Sequence, residues 1–203
     1  MSNEEKIWSY LMHEISNPFG VAGLMGNIKA ESNFNPCNLQ NSYESRLHYT
    51  DISYTEAVDC GDYPKSSFCH DSAGYGLCQW TYWSRKEALY DYARQTGDSI
   101  GGLFTQLSFM CAELRSYGLI DALKNSKSVK EASDLIMIRY ERPADQSNEA
   151  KERRAKMGMD IYKAHTNNGV DTNNEVDTNP DLLEKILKIE EIINEIKTII
   201  KGE

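Results

Sequence analysis

Nowhere in the 203 residues does an apolar run approach the roughly eighteen that a membrane span needs, so insertion into a bilayer is not expected. The opening stretch, Met1 to Lys6, lacks the basic and apolar regions of a secretory leader. That predicts synthesis in a host cytosol and a separate route of release to any work outside the cell. Cations are scarce too: 22 Lys and Arg against 31 Asp and Glu leave a formal charge of −9. With no basic stripe to neutralise phosphates, nucleic acid is excluded as the main ligand. Attachment to an anionic cell surface by charge alone is equally unexpected.

Cysteine and histidine are also sparse. Cys37, Cys60, Cys69, Cys78 and Cys111 include no Cys-x-x-Cys pair, and the nine-residue spacing of three of them is not a usual ligand spacing. Neither a metal site nor a cofactor is expected. An odd count leaves at least one thiol unpaired; reduced thiols suit a cytosolic product, with one or two disulfides able to form after release. There is no Gly-x-Ser-x-Gly elbow, and His13, His48, His70 and His165 stand in contexts that support no serine or cysteine hydrolase.

What is present suits one globular domain with an appendage: 40% hydrophobic and 26% charged residues over a length that can bury a real core. Ile7, Trp8, Leu11 and Ile15 mark a first amphipathic helix over 4–16, ended by Asn17-Pro18-Phe19-Gly20. A second helix leads to Glu31. Residues 39–81, rich in Tyr, Ser, Thr and Asp, lack helical periodicity and predict loops with a small irregular β element. Helices resume with Ser84-Arg-Lys-Glu87, a capping box opening a helix that Gly97 stops. Three more follow, from Ser99 to about Tyr117, from Ser128 to Tyr140, and from about Ser147 to His165. The fold class is α+β, mainly helical.

Residues 166–179 predict a flexible linker, polar and carrying Val-Asp-Thr-Asn twice. In 180–203, Leu182, Ile186, Ile189, Ile193, Ile196 and Ile200 alternate spacings of four and three, the seam of a short coiled-coil helix. Ile at nearly every core position favours a trimer or tetramer, so homo-oligomerisation through residues 182–200 is expected.

Glu31 is the candidate for chemistry. Leu24, Ile28 and Glu31 follow the i, i+4, i+7 spacing of one helical face, flanked by Val21, Met25 and Ser32. A carboxyl aimed where apolar residues point, at the carbonyl end of a helix, sits where the charged form is disfavoured. That is the setting a general acid requires near neutral pH. Around Gln79, the residues Tyr75, Trp80, Tyr82 and Trp83 combine an amide with aromatic faces suited to pyranose rings and N-acetyl groups.

Two motifs then bring a resemblance. Glu31-Ser32-Asn33-Phe34-Asn35-Pro36 resembles the Glu-Ser-x-Phe-x-Pro signature of the lysozyme-like superfamily. Gly74-Tyr75-Gly76-Leu77-Cys78-Gln79-Trp80 resembles the Gly-Leu-x-Gln segment of lytic transglycosylases and goose-type lysozymes. With Arg85-Lys86 following, and Tyr140-Glu-Arg-Pro143 and Arg153/Arg154 downstream, the chain is most similar to the phage tail lysozyme family over roughly residues 5–165.

The resemblance implies a lysozyme-like catalytic domain over 1–165 that cuts peptidoglycan glycan strands between N-acetylmuramic acid and N-acetylglucosamine, with Glu31 as catalytic acid. Ser32, Tyr75, Gln79, Trp80 and Trp83 are the candidate substrate contacts, although Ser32 also suits support of the helix end and the tryptophans also suit the core. A hydrolase of ordinary type needs a second carboxylate. Glu44, Asp51, Glu56, Asp59, Asp62 and Asp71 are available; Asp71 is favoured by its place ahead of Gly74, and Asp51 by its interval from Glu31. With neither in place, a lytic transglycosylase would act with Glu31 alone, the sugar's own 6-hydroxyl attacking. The expected setting is host cell lysis by a phage endolysin. A non-catalytic glycan-binding module and a structural phage component are the alternatives.

Overall fold

The computed structural model describes residues 1–166, which form ten α-helices and one π-turn. The linker over 166–179, apart from Thr166, and the heptad helix over 180–203 lie outside the described residues. Helix α1 (Asn3–Ile15) begins with a full capping box between Ser2 and Glu5 and buries Ile7, Leu11 and Ile15. Helix α2 (Pro18–Ser32) follows, capped by Asn17, whose Oδ1 accepts from the amides of Phe19 and Gly20, with Pro18 at its first position.

Helix α2 is the axis of the fold. It packs most extensively against α9 (Val129–Ile136) and α10 (Asn148–Thr166), and also meets α1 and α8 (Leu119–Asn125). Every residue from Gly20 to Ile28 is buried, so it carries no polar stripe; a helix apolar all round belongs inside. Its glycines make that position attainable. A Cβ on Gly26 would lie 2.5 Å from the Arg154 carbonyl oxygen, and one on Gly158 would lie 2.7 Å from that of Ala22. The backbones of α2 and α10 therefore touch where side chains would hold them apart.

The stretch expected to be loops with a small β element is helical instead. It holds α3 (Asn41–Leu47), α4 (Asp51–Cys60) and α5 (Lys65–His70), and the described residues contain only isolated bridges, Leu39 to Tyr75 and Tyr75 to Trp80. Helix α4 has a Thr50–Ser53 capping box and ends at Gly61 with φ 90°. Its core contacts come from Tyr54, Thr55, Ala57 and Val58, of which the hydroxyl-bearing Tyr54 and Thr55 obscure the helical period.

The second half keeps most expected helices with shifted edges. Helix α6 (Trp83–Thr96) starts one residue before the expected Ser84 cap and ends at Gly97. Helix α7 (Leu103–Ser116) opens after a turn at Ser99–Gly102, and α8 lies between it and α9. Ser128 caps α9 as expected, although Glu131 reaches back to the Lys127 amide. After Ile136 the backbone widens into a π-turn over Met137–Glu141, closed by Arg142 with φ 50°. Single π-turns of this kind occur often at functional sites.

Candidate active site

Helix α2 ends at Ser32, followed by two left-handed residues, Asn33 (φ 50°) and Phe34 (φ 65°). Burial gives way over the last turn, where Lys29, Ala30 and Glu31 are partly exposed. Glu31 thus reaches the edge of the core at a helix end. Its side chain is 18% exposed and lines a cleft of about 480 Å³.

Arg154 of α10 holds that carboxyl. Its Nη2 donates to Glu31 Oε1 at 2.6 Å, and its Nη1 donates to Oδ1 of the fully buried Asn27 at 3.2 Å. Asn27 in turn donates to the carbonyls of Gly23 and Ser133. Gly26 admits the α10 backbone at Arg154, so the close approach of two helices brings the guanidinium to the acid. The apolar spacing of α2 indicated nothing of this cation.

The opposite wall comes from Gln40, the loop before α6, Arg85 and the end of the π-turn. The loop is a tight reversal: Tyr75 and Trp80 exchange backbone hydrogen bonds, with Gly76 at φ 75° and Gln79 at φ 46°. Gln106 fixes it from beneath. Its Oε1 accepts from the Leu77 amide at 2.8 Å, and its Nε2 donates to the carbonyls of Pro36 and Ile100. Nothing in the sequence pattern of α7 marked Gln106 for this task.

Glu113 is a second hidden strut. One carboxylate accepts from Trp80 Nε1 at 2.8 Å, from Arg85 Nε and Nη2 at 2.8 Å each, and from the Tyr140 hydroxyl at 2.7 Å. Arg85 also lies over the Tyr140 ring, 4.7 Å from its centroid, and the Glu113 pairing holds its charge in place. This network ties the cleft loop, α6, α7 and the π-turn together.

The π-turn carries a carboxyl that sequence reasoning missed. Glu141 lines the cleft with Arg142 and Pro143, and its Oε1 is sealed from solvent with no hydrogen-bond partner among the described residues. Burial first, and then the charge of Glu31, push this carboxyl from its ordinary 4.5 up to about 8, against the pull of Arg85 and Arg154. Burial likewise raises the neighbouring Cys78 thiol. The available signal was Tyr140-Glu-Arg-Pro143, a motif with a cation and a proline directly after an acid.

The expected site residues divide. Gln79 lines the cleft beside Glu31, its Nε2 donating to the carbonyls of Asn38 and Gly76. Tyr82, 63% exposed, lines it as well. Ser32 is buried and donates to the carbonyls of Ile28 and Leu77, joining α2 to the cleft loop from behind. Tyr75 and Trp80 are wholly buried, Tyr75 bonded to Thr55 and Trp80 to Glu113. Both are core residues, because each hydroxyl or indole N–H has its partner inside. Trp83 is 46% exposed and stacks on His70, outside the residues that line the cleft.

Asp71 and Glu31 are not brought together. The Asp71 side chain is 4% exposed and bonds Lys86 Nζ at 2.6 Å, the hydroxyls of Tyr54 and Tyr63, and the Ala73 amide at 2.9 Å. Its lone pairs are consumed, and it borders a separate depression with Arg46 and His70. Asp51 is tied down as well, accepting from Asn35 Nδ2 at 2.7 Å and from the Leu39 amide at 2.8 Å, and it does not line the cleft. Both acids brace the stretch that holds α3, α4 and α5. All five cysteines are free thiols.

A depression of about 360 Å³ adjoins the cleft, sharing Tyr82, Arg85, Glu141 and Arg142 and adding Tyr117 and Arg139. The groove is thus longer than one sugar-sized pocket, lined by acids, amides, cations and aromatic faces. No helix among the described residues is long and apolar enough to cross a membrane. Searches of curated proteins and of solved structures return no match. The family model described as phage tail lysozyme does match, over residues 2–164 and therefore over the whole helical body that carries Glu31, and the chain belongs to that family.

Proposed function

We propose that this protein cleaves the glycan strands of peptidoglycan between N-acetylmuramic acid and N-acetylglucosamine, with Glu31 as the general acid. The observation that carries the reading is the position of Glu31: held by Arg154 at 2.6 Å, yet open to a groove lined by Gln79, Tyr82 and Arg85. In the reaction the acid's proton passes to the glycosidic oxygen as the bond to the anomeric carbon breaks and positive charge develops on the ring. Gln79 offers an amide to N-acetyl groups, and Tyr82 a face to a pyranose ring.

A second reading, lytic transglycosylation, is favoured by the hydrogen bonds that tie Asp71 and Asp51 into the stretch around α3, α4 and α5, away from the residues that line the cleft. There the 6-hydroxyl of the muramic residue attacks in place of water. Mass analysis of fragments from purified peptidoglycan tests both. A new reducing N-acetylmuramic end is expected for hydrolysis and an anhydro end for transglycosylation. A new N-acetylglucosamine end, or no cut strand, contradicts the linkage proposed.

The proposed setting is lysis of a host wall as a phage endolysin, supported by membership of a phage lysozyme family. Residues 180–203 are proposed to associate three or four copies through the Ile-rich seam, which would raise the local concentration of cleavage domains on a polymer. Deleting them should spare activity on soluble fragments and weaken lysis of whole walls; equal loss on both would refute this role.

A further inference from the structure

The space that adjoins the Glu31 cleft measures about 360 Å³, within the roughly 300–1,000 Å³ of ordinary ligand pockets. The two share Tyr82, Arg85, Glu141 and Arg142 as a common wall. What sets the second apart is the wall it does not share, which brings in Arg139 and Tyr117. The π-turn builds much of that wall. Tyr140 is buried within it, whereas Arg139 and Arg142 on either side are exposed. Arg142, with φ 50° and its amide returned to the Met137 carbonyl, closes the turn.

Charge at this wall runs against the rest of the chain, whose formal net charge is −9. Arg85, Arg94, Arg115 and Arg154 are each paired with a carboxylate, but Arg139 and Arg142 form no ion pair among the described residues. Glu113 matches the Arg85 charge through two 2.8 Å bonds. Glu141 is the one acid lining the space, and its Oε1 is sealed from solvent. Arg139 and Arg142 therefore offer uncommitted guanidinium forks, which suit carboxylates. Beside them Tyr82 and Tyr117, 63% and 48% exposed, present ring faces to small apolar groups.

We propose that this space receives the acidic peptide that branches from the muramic residue, so that the protein reads the branch as well as the sugar strand. The proposal rests on the reading of the Glu31 cleft as a peptidoglycan site. Once the lactyl carboxyl is joined to its peptide, both sugars of the strand are neutral, and a further sugar would leave two arginines nothing to neutralise. The peptide carries free carboxylates for Arg139 and Arg142 and methyl groups for Tyr82 and Tyr117. It leaves the strand at the muramic lactyl ether, beside the bond to be cut, so the branch enters where the two spaces join. Arg139 and Tyr117 are specificity residues in this account and touch no reacting atom.

The test compares kcat/KM of the full chain on two preparations of glycan strands, both freed of other anionic wall polymers. One keeps its peptides and the other is stripped of them by an amidase. The parent is expected to favour the peptide-bearing strands by about tenfold, the combined effect of two exposed ion pairs and ring packing. Arg139→Gln should lower that preference about threefold through KM, and Arg139→Glu should abolish it, while both keep the parental rate on stripped strands. Added salt should shrink the preference as well. A parent indifferent to the peptide, or Arg139 variants impaired equally on both preparations, overturns the proposal. So does a preference that appears only when phosphate-bearing wall polymers are left attached. If neither preparation is cut, the reading of the cleft fails, and calorimetric titration of a synthetic anionic stem tetrapeptide into the full chain decides the branch site. Saturable binding that Arg139→Glu weakens supports it, and no binding overturns it.

Discussion

Two acid–cation pairs in this molecule have the same contact length and opposite character. Glu31 and Arg154 meet at 2.6 Å, as do Asp71 and Lys86. Lys86 and Asp71 are 0% and 4% exposed, and two tyrosine hydroxyls, a backbone amide and the Ala73 carbonyl complete their hydrogen bonds. Burial lowers the Lys86 value and the nearby Asp71 charge opposes it. The Glu31 pair sits at a helix end beside open groove, with Arg154 Nε left unbonded. The Asp71 pair is sealed and fully bonded, whereas the Glu31 carboxyl borders the groove. The surroundings, not the pairing, set the two apart.

That contrast can be broken in order of effect. Glu31→Gln should lower kcat by about 10²–10⁴ while the melting temperature stays within a few degrees; an assay on purified peptidoglycan beside a thermal melt checks this. Asp71→Asn should do the reverse. Breaking a buried pair leaves Lys86 uncompensated and costs about 3–5 kcal/mol, or about 10 °C in Tm for a domain of this size, with turnover per folded molecule retained. Gly26→Ala, measured by the same melt, should also destabilise, because its Cβ would sit 2.5 Å from the Arg154 carbonyl oxygen. Turnover should fall with it as Arg154 is pushed from Glu31, so this variant couples what the first two separate.

Glu141 gives a smaller effect with a sign. Its folded value, about 8, exceeds its ordinary 4.5, so between those limits the native state holds a proton that the unfolded chain has released. Native stability therefore falls as pH rises through that window. The Tm of Glu141→Gln relative to the parent should become more positive from pH 5 to pH 8, by several degrees; a constant difference across that range would count against it. Smallest is Tyr82→Ala, whose exposed ring is expected to supply about 1 kcal/mol of contact. It should raise KM several-fold with little change in kcat, as steady-state kinetics on soluble glycan fragments would show.

Much of the helical frame was legible. Asn17, Gly97 and Ser128 act at helix ends as expected, and Ile7, Leu11 and Ile15 are buried as their spacing predicts, whereas the Ser2 cap of α1 was not anticipated. The helices of 41–70 were not, because their buried positions are Tyr, Thr and Cys beside a few aliphatics, too mixed to register as a period. Glu31 was singled out by its place after Leu24 and Ile28, but the physical cause differs. Helix α2 is buried on all sides, and Glu31 is reachable because the helix ends there. Asp71 looked catalytic because its partner, Lys86, lies fifteen positions away in sequence and across a helix boundary. Arg154 reaches Glu31 and Asn27 across 123 and 127 positions, Gln106 reaches Leu77 across 29 and Glu113 reaches Tyr140 across 27, all beyond the reach of local pattern.

The most direct test of the account is one paired experiment: melting temperature and turnover per folded molecule for Glu31→Gln and Asp71→Asn on the same peptidoglycan. The account predicts a crossed result, with the first variant stable and inactive and the second destabilised and active. A Glu31→Gln protein that still cuts glycan strands at the parental rate would contradict it.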